Sequence, residues 1–287
     1  MRWRDRPIVA FDTETTGLDL FGGDRVVEFA AVVLWVGPDG RPSSQEVFSW
    51  LVNPGIPIPR ASTEVTGITD KDVVDKPPFA EVADEVRRLL HGQITVAHNY
   101  PFDRNAIGGE FRRIGQRWPE PLAEVDTVDV SRSVFKDAKE HKLAALCQRL
   151  DVSLVGAHRA SNDALATGRA LIEMARRHEV PDDLSALLDW ANAVGPPPTD
   201  GPFILDNTGR VIFQIGPHAG QPVEEHPLHL HWMTKARERL NGAWDWRFPE
   251  GARRWARRWL EVRGAGRTRA GGKSPHPSVW GLDPCFS

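Results

Sequence analysis

The chain has 287 residues, 40% of them apolar and 26% charged, which is material for one sizeable core and a smaller companion domain and excludes disorder throughout. No window approaches the roughly 18 uninterrupted apolar residues of a bilayer helix, and Ile8 to Phe11 behind the charged start Met1-Arg2-Trp3-Arg4-Asp5-Arg6 is too short for a secretion signal, so a cytoplasmic setting away from membranes is expected. The net charge is −3, yet residues 247 to 273 hold nine Arg or Lys against Glu250 and Glu261, which leaves about −10 on a cation-attracting remainder and a basic end that either grips a polyanion or is a solvated tail.

No internal repeat organises the chain. Ile8 to Phe11 reads as a buried strand, Val26 to Val36 as a second and Gln45 to Val52 as a third. The turn signature Gly37-Pro38-Asp39-Gly40 joins the last two, so an antiparallel meander is expected. Helical periodicity then covers Phe79 to Leu90, Phe102 to Ile114 and Leu143 to Leu150, with short strands at Ile94 to Ala97 and Val125 to Val128. Ser161 is placed to cap a long helix running to His178. Three hairpin-type strands followed by alternating helix and strand imply an α/β fold, a mixed sheet with helices packed on it.

Gly195 to Gly201, rich in proline and glycine, reads as an interdomain linker. Beyond it, Phe203 to Leu205 and Val211 to Ile215 flank the hairpin signal Asp206-Asn207-Thr208-Gly209, and Leu228 to Leu240 looks helical, giving a small α+β module. After about Val262 the composition turns to Gly, Arg, Ser and Pro, the signature of a flexible tail. Cys147 lies in a helical pattern and Cys285 near the end, without metal or disulfide spacing, so redox chemistry is not expected.

Three segments carry candidate chemistry. In Phe11-Asp12-Thr13-Glu14-Thr15-Thr16-Gly17-Leu18, strand alternation sends Asp12 and Glu14 to one face, roughly 6 to 7 Å apart, with Thr13 facing away. This is either a paired carboxylate site or a strand that ends on polar residues before a glycine turn. In His98-Asn99-Tyr100-Pro101-Phe102-Asp103 a strand ends and Asp103 opens a helix, where the dipole alone would favour a carboxylate. In His158-Arg159-Ala160-Ser161-Asn162-Asp163, His158 stands before the long helix and Asp163 in its first turn. Each segment by itself is ambiguous, but all three fall at element ends, where catalytic groups tend to lie.

Together these motifs resemble the DEDD exonucleases of the His subtype (DEDDh), the family of the proofreading subunit of bacterial replicative DNA polymerase, ribonuclease T and oligoribonuclease. The resemblance spans about residues 6 to 178, supported by Val65-Thr66-Gly67-Ile68-Thr69, Val125-Asp126-Thr127 and Lys142-Leu143. It implies a ribonuclease-H-like exonuclease domain and two Mg2+ or Mn2+ ions on Asp12, Glu14, Asp103 and Asp163, with His158 as general base. Hard oxygen ligands suit these ions over zinc. The implied reaction is metal-dependent 3′→5′ hydrolysis of DNA to 5′-mononucleotides, with Thr15, Gly17, Leu18, Asn99 and Phe102 nominated at the substrate. For Phe102 core packing competes with that role. An exoribonuclease, or a nucleic-acid-binding subunit with a vestigial site, is the alternative, and the implied partners are a 3′-terminal or single-stranded DNA and a polymerase or repair complex. Oligomeric state is not fixed by the motifs.

Phe213-Gln214-Ile215-Gly216-Pro217-His218-Ala219-Gly220 and Leu228-His229-Leu230-His231-Trp232-Met233 resemble the small C-terminal domain of exonuclease-X-like proteins, departing at Ile215, inserted where that pattern has an aromatic residue. The implied organisation is a nuclease domain over 6–178, a linker over 179–201, this module over 202–262 and a basic tail over 263–287. In the module, Gly216, His218 and Gly220 are expected to shape a tight turn, and His226, His229 and His231 lack a helix-facing metal spacing. In Arg253-Arg254-Trp255-Ala256-Arg257-Arg258-Trp259 the two tryptophans stack one turn apart. That pattern reads as an amphipathic helix docked through its tryptophans, with Arg253, Arg254, Arg257 and Arg258 in water or on nucleic acid.

Overall fold

A computed structural model describes residues 1–20, 22–191, 202–206, 210–238, 244–246, 248, 252–253 and 255–260. The chain divides into two compact units, Met1–Gly195 and Pro196–Ser287. Of the linker expected over 179–201, Leu184–Ala191 are helical and residues 192–201 lie outside the described residues, as do the hairpin tip 207–209, Arg254 and the tail expected over 263–287.

The first unit is built on strands β1 (Ile8–Thr15), β2 (Val26–Val36) and β3 (Pro42–Leu51). Short helices α1 (Arg60–Thr66) and α2 (Asp70–Val73) follow, then α3 (Phe79–Leu90), β4 (Ile94–Ala97) and α4 (Tyr100–Arg113). The unit continues through β5 (Ala123–Asp126), α5 (Thr127–Val134), α6 (Leu143–Leu150), α7 (Ala160–Arg177) and α8 (Leu184–Ala191). The sheet order is β3-β2-β1-β4-β5. The first three strands pair antiparallel as a meander, whereas β1–β4 and β4–β5 are parallel. The strand order therefore switches direction beside β1, the place where open α/β sheets leave a crevice at the carboxyl ends of their strands.

Strand alternation divides two cores. Ile8 and Ala10 face Leu34, Leu171 and Met174 on the α7 side, while Val9 and Phe11 face Phe29, Phe79 and Phe111 on the α3–α4 side. Gly168 lets α7 sit tightly on the sheet, since a Cβ there would collide with Leu34 and lie 2.9 Å from the Ala10 Cβ. The chain start is fastened to the far end of the unit: the Trp3 indole donates to the Pro181 carbonyl at 2.8 Å, and Arg2 and Arg4 each pair with Asp182 at 2.7 Å.

Several sequence expectations need correction. The strand expected over Val125 to Val128 ends at Asp126, because the Asp126 carboxylate accepts the Val128 amide at 2.9 Å and starts α5 instead. Ser161 does not cap α7; Arg159 holds that position and Ser161 lies inside the first turn. The helix expected over Leu228 to Leu240 stops at Met233, and Ala236–Glu238 is a strand paired with Trp244–Trp246.

In the second unit β6 (Phe203–Leu205) and β7 (Val211–Phe213) form the expected hairpin, and α9 is Pro227–Met233. Gly216 and Gly220 adopt φ of 91° and 80° in the segment between β7 and α9. Residues 252–253 and 255–260 are helical, with Ala252, Trp255, Ala256 and Trp259 buried and Trp255 against Phe203 at 4.7 Å, so the tryptophans dock as expected. No described helix is long and apolar enough to cross a membrane.

Candidate active site

The carboxyl end of β1 places Asp12 and Glu14 on the α7 side of the sheet, where the first turn of α7 brings Asp163. One carboxylate oxygen from each of these three residues lies within 4.8 Å of the others. Asp163 binds the His158 amide through Oδ2 at 3.1 Å, while its buried Oδ1 has no hydrogen-bond partner among the described residues. A buried acceptor without a donor is costly unless a cation takes that place.

Asp103 comes from the first turn of α4, on the other side of β1. It is only 2% exposed, and one of its oxygens accepts both the Thr13 amide at 2.9 Å and the Thr13 hydroxyl at 2.7 Å. It therefore stands outside the three-carboxylate group, although its charge is the strongest of those acting on Asp12. Strand parity explains the division: Thr13 points to the α4 face while its neighbours point to α7.

Crowding and burial hold protons on this cluster. Asp12 is raised well above the ordinary carboxylate range by loss of solvent, then by Asp103, Glu14, Asp163 and Glu28. Glu14 is pushed up to about 8, again by burial first and then by Asp163, Glu28 and Asp103, with Arg159 opposing. Burial takes Asp103 to about 7 against the two Thr13 hydrogen bonds that favour its charged form. Asp163 is raised as well, burial outweighing the hydrogen bond from His158. Like charges that cannot all ionise together are what a divalent cation would relieve. An all-oxygen donor set with one unpartnered buried oxygen fits a hard ion such as Mg2+ or Mn2+.

The remaining sequence-nominated residues fall around this cluster. His158 is exposed, with its backbone in the left-handed region at φ 65°. Asn99 also has a left-handed backbone, φ 73°, and donates its amide to Asp126 at 3.1 Å. Thr15 is buried and its hydroxyl donates to the Gly17 carbonyl at 2.7 Å. Any side chain at Gly17 would run into the Asp24 carboxylate, which tightens the turn. Leu18, at the tip, is 85% exposed, whereas Phe102 is half-buried against the α3–α4 core. In the second unit His218 and His226 stack at 3.8 Å, and no group of three histidines among the described residues has metal-binding spacing.

Sequence reasoning missed Glu28 and Arg159. Glu28 lies opposite Glu14 on β2, 1% exposed, and its carboxylate accepts from the Arg159 guanidinium, the Ala160 amide and the Ser49 hydroxyl. The signal was present: a lone acid in the otherwise apolar run Val26-Val27-Glu28-Phe29-Ala30-Ala31 must find a partner.

The family RNase_T, described as exonuclease, matches residues 9–171. A DNA polymerase III subunit epsilon-like protein of Rhodobacter capsulatus is 42% identical over 168 residues, covering 58% of this chain and 23% of that protein. The 3′-5′ exonuclease DinG of Bacillus subtilis is 37% identical over 166 residues, covering 58% of this chain and 17% of that protein. The chain thus spans less than a quarter of the length of these relatives. A solved structure of exonuclease I shares the fold, with a TM-score of 0.54 at 16% identity over 94% of this chain and 75% of that one.

Proposed function

This chain belongs to the RNase_T exonuclease family, and from that premise we propose that it is a metal-dependent 3′→5′ exonuclease that hydrolyses DNA to 5′-mononucleotides. The observation that carries the reading is the meeting of carboxylate oxygens of Asp12, Glu14 and Asp163 within 4.8 Å, with the buried Oδ1 of Asp163 unpartnered among the described residues. Residues from β1 and α7 that are far apart in sequence have no structural reason to pool negative charge at a strand end.

In this reading Asp12, Glu14 and Asp163 hold the cations directly, and Asp103, fixed by Thr13, completes the ligand set from the α4 side. Two divalent ions bound there would activate a water and stabilise the leaving 3′-oxygen of the scissile bond. His158, in its turn before α7, takes the proton from that water. Leu18, exposed at the tip of its loop, stacks on the terminal base, and Thr15, Gly17 and Asn99 shape the surrounding backbone. Phe102 supports them from the core. Residues 202–262 form an accessory module in which Arg253, Arg254, Arg257 and Arg258 meet the phosphate backbone. The likeness to a relative named for the polymerase III epsilon subunit supports association with a polymerase or repair complex, and a cytoplasmic setting belongs to the same reading.

The test is release of mononucleotides from oligonucleotides labelled at either end, DNA and RNA in parallel, with Mg2+, Mn2+ or EDTA. Stepwise shortening of 5′-labelled DNA, abolished by EDTA and by Asp12→Ala, is expected. Shortening of RNA alone transfers the activity to an exoribonuclease, and binding without hydrolysis marks the site as vestigial.

A further inference from the structure

We propose that Glu28 and Arg159 form a latch whose task is to position His158 and the first turn of α7, making both of them positioning residues for hydrolysis. The inference deepens the nuclease reading and rests on it. Both oxygens of the Glu28 carboxylate are occupied. Oε1 accepts from Arg159 Nη2 at 3.0 Å and Ser49 Oγ at 3.2 Å, and Oε2 from Arg159 Nε at 3.3 Å and the Ala160 amide at 3.2 Å. Glu28 therefore lies beside the acidic cluster without being available to a cation, the opposite of Asp163 with its unpartnered oxygen. A two-donor guanidinium fork gives geometric definition as well as charge.

The pair grips a segment that needs holding. Arg159 stands at the N-cap of α7 with no side-chain cap of its own, so the amide of Ala160, the first helical residue, is met by a carboxylate from a different strand. His158, immediately before it, holds a left-handed backbone at φ 65°, a conformation that a non-glycine residue keeps only when its surroundings impose it. Those surroundings are specific. The Asn162 amide group donates to the Gly156 carbonyl at 2.9 Å on the upstream side, the His158 amide donates to Asp163, and the Arg159 fork locks the downstream side onto β2. Release of the fork would leave the turn that carries the imidazole held only by the Asn162–Gly156 and His158–Asp163 hydrogen bonds, while Asp12 and Glu14 on β1 keep their places.

The experiment compares Arg159→Ala, Glu28→Gln and the neutral pair Glu28→Gln/Arg159→Gln, each in the wild-type and the His158→Ala background. The readouts are kcat and KM on a labelled DNA oligonucleotide and Mn2+ affinity by electron paramagnetic resonance. The neutral pair is included because Arg159→Ala strands a buried carboxylate. The expected result is a loss of about 10²-fold in kcat for each folded variant, with KM and Mn2+ affinity held within about threefold. No further loss is expected once His158 is already Ala. Wild-type kcat in the neutral pair, an equal loss in the His158→Ala background, a parallel loss of Mn2+ affinity, or a neutral pair that does not fold by circular dichroism would each overturn the latch. A wild-type chain that hydrolyses nothing refutes the nuclease reading and the latch together, whereas an active wild type with unimpaired variants refutes the latch alone.

Discussion

Replacing Glu14 by Gln should stabilise the metal-free protein at alkaline pH while destroying its activity. Burial and the neighbouring carboxylates push the Glu14 carboxyl up to about 8 from an ordinary value of 4.5. A carboxyl raised on folding keeps a proton that the unfolded chain gives up. Its contribution is therefore intact below about pH 4.5 and is lost as the pH climbs through 8. That displacement corresponds to about 2–4 kcal/mol at pH 9 and under about 1 kcal/mol at pH 5. Gln keeps the shape and removes the charge, so it should recover that loss. For a unit such as Met1–Gly195, in a size range where 1 kcal/mol moves Tm by roughly 2–4 °C, the gain at pH 9 is about 5–15 °C. The assay is thermal unfolding in EDTA at pH 5 and pH 9, repeated with saturating Mn2+. In Mn2+ the wild type should gain more than the variant, because the ion stabilises only the site that binds it. An equal gain at both pH values, or a lower Tm for the variant at pH 9, would show that the carboxylates do not repel one another as the geometry requires.

His158→Ala is expected to lower kcat by about 10²- to 10⁴-fold while Mn2+ still binds with near wild-type affinity; near wild-type turnover at neutral pH would remove His158 as the base. Gly168→Ala forces a methyl into Leu34 and Ala10, so urea unfolding should show a loss of about 1–3 kcal/mol, and an unchanged midpoint would contradict the close seat of α7 on the sheet. Changing Arg253, Arg254, Arg257 and Arg258 together to Gln should weaken DNA binding and flatten its salt dependence without slowing hydrolysis of short oligonucleotides. A binding isotherm with an unaltered salt slope would place the phosphate contacts elsewhere.

The elements legible in the sequence are those in which local preference and packing agree. Val26–Val36 and Phe79–Leu90 appear with the boundaries read from the sequence because one is an apolar run bounded by turns and the other a clean amphipathic repeat. Thr127–Val134 was not legible, since Thr127, Val128 and Val130 favour a strand and only the Asp126 side chain, by taking the Val128 amide, turns them into a helix. Leu184–Ala191 was missed for a different reason: Leu187 and Ala191 complete a core whose other side is Trp3 and β1, so the helix is fixed by residues more than 170 positions away.

The site shows the same division between local and distant causes. Parity along β1 was enough to predict that Asp12 and Glu14 share a face and that Thr13 does not, and the meeting of Asp12 and Glu14 with Asp163 on the α7 side accords with it. Parity also decides where Asp103 sits. Because α4 packs on the face that Thr13 occupies, Asp103 meets the hydroxyl and amide of Thr13, and its charge reaches Asp12 from the other side of the strand end. Thr13 is thereby the residue that holds one acidic group in place while its two neighbours contribute their own. The same rule explains Glu28: directly across the ladder from Glu14, it is forced onto the crowded α7 face, and the Arg159 fork, together with the Ala160 amide and the Ser49 hydroxyl, makes a further buried carboxylate tolerable there.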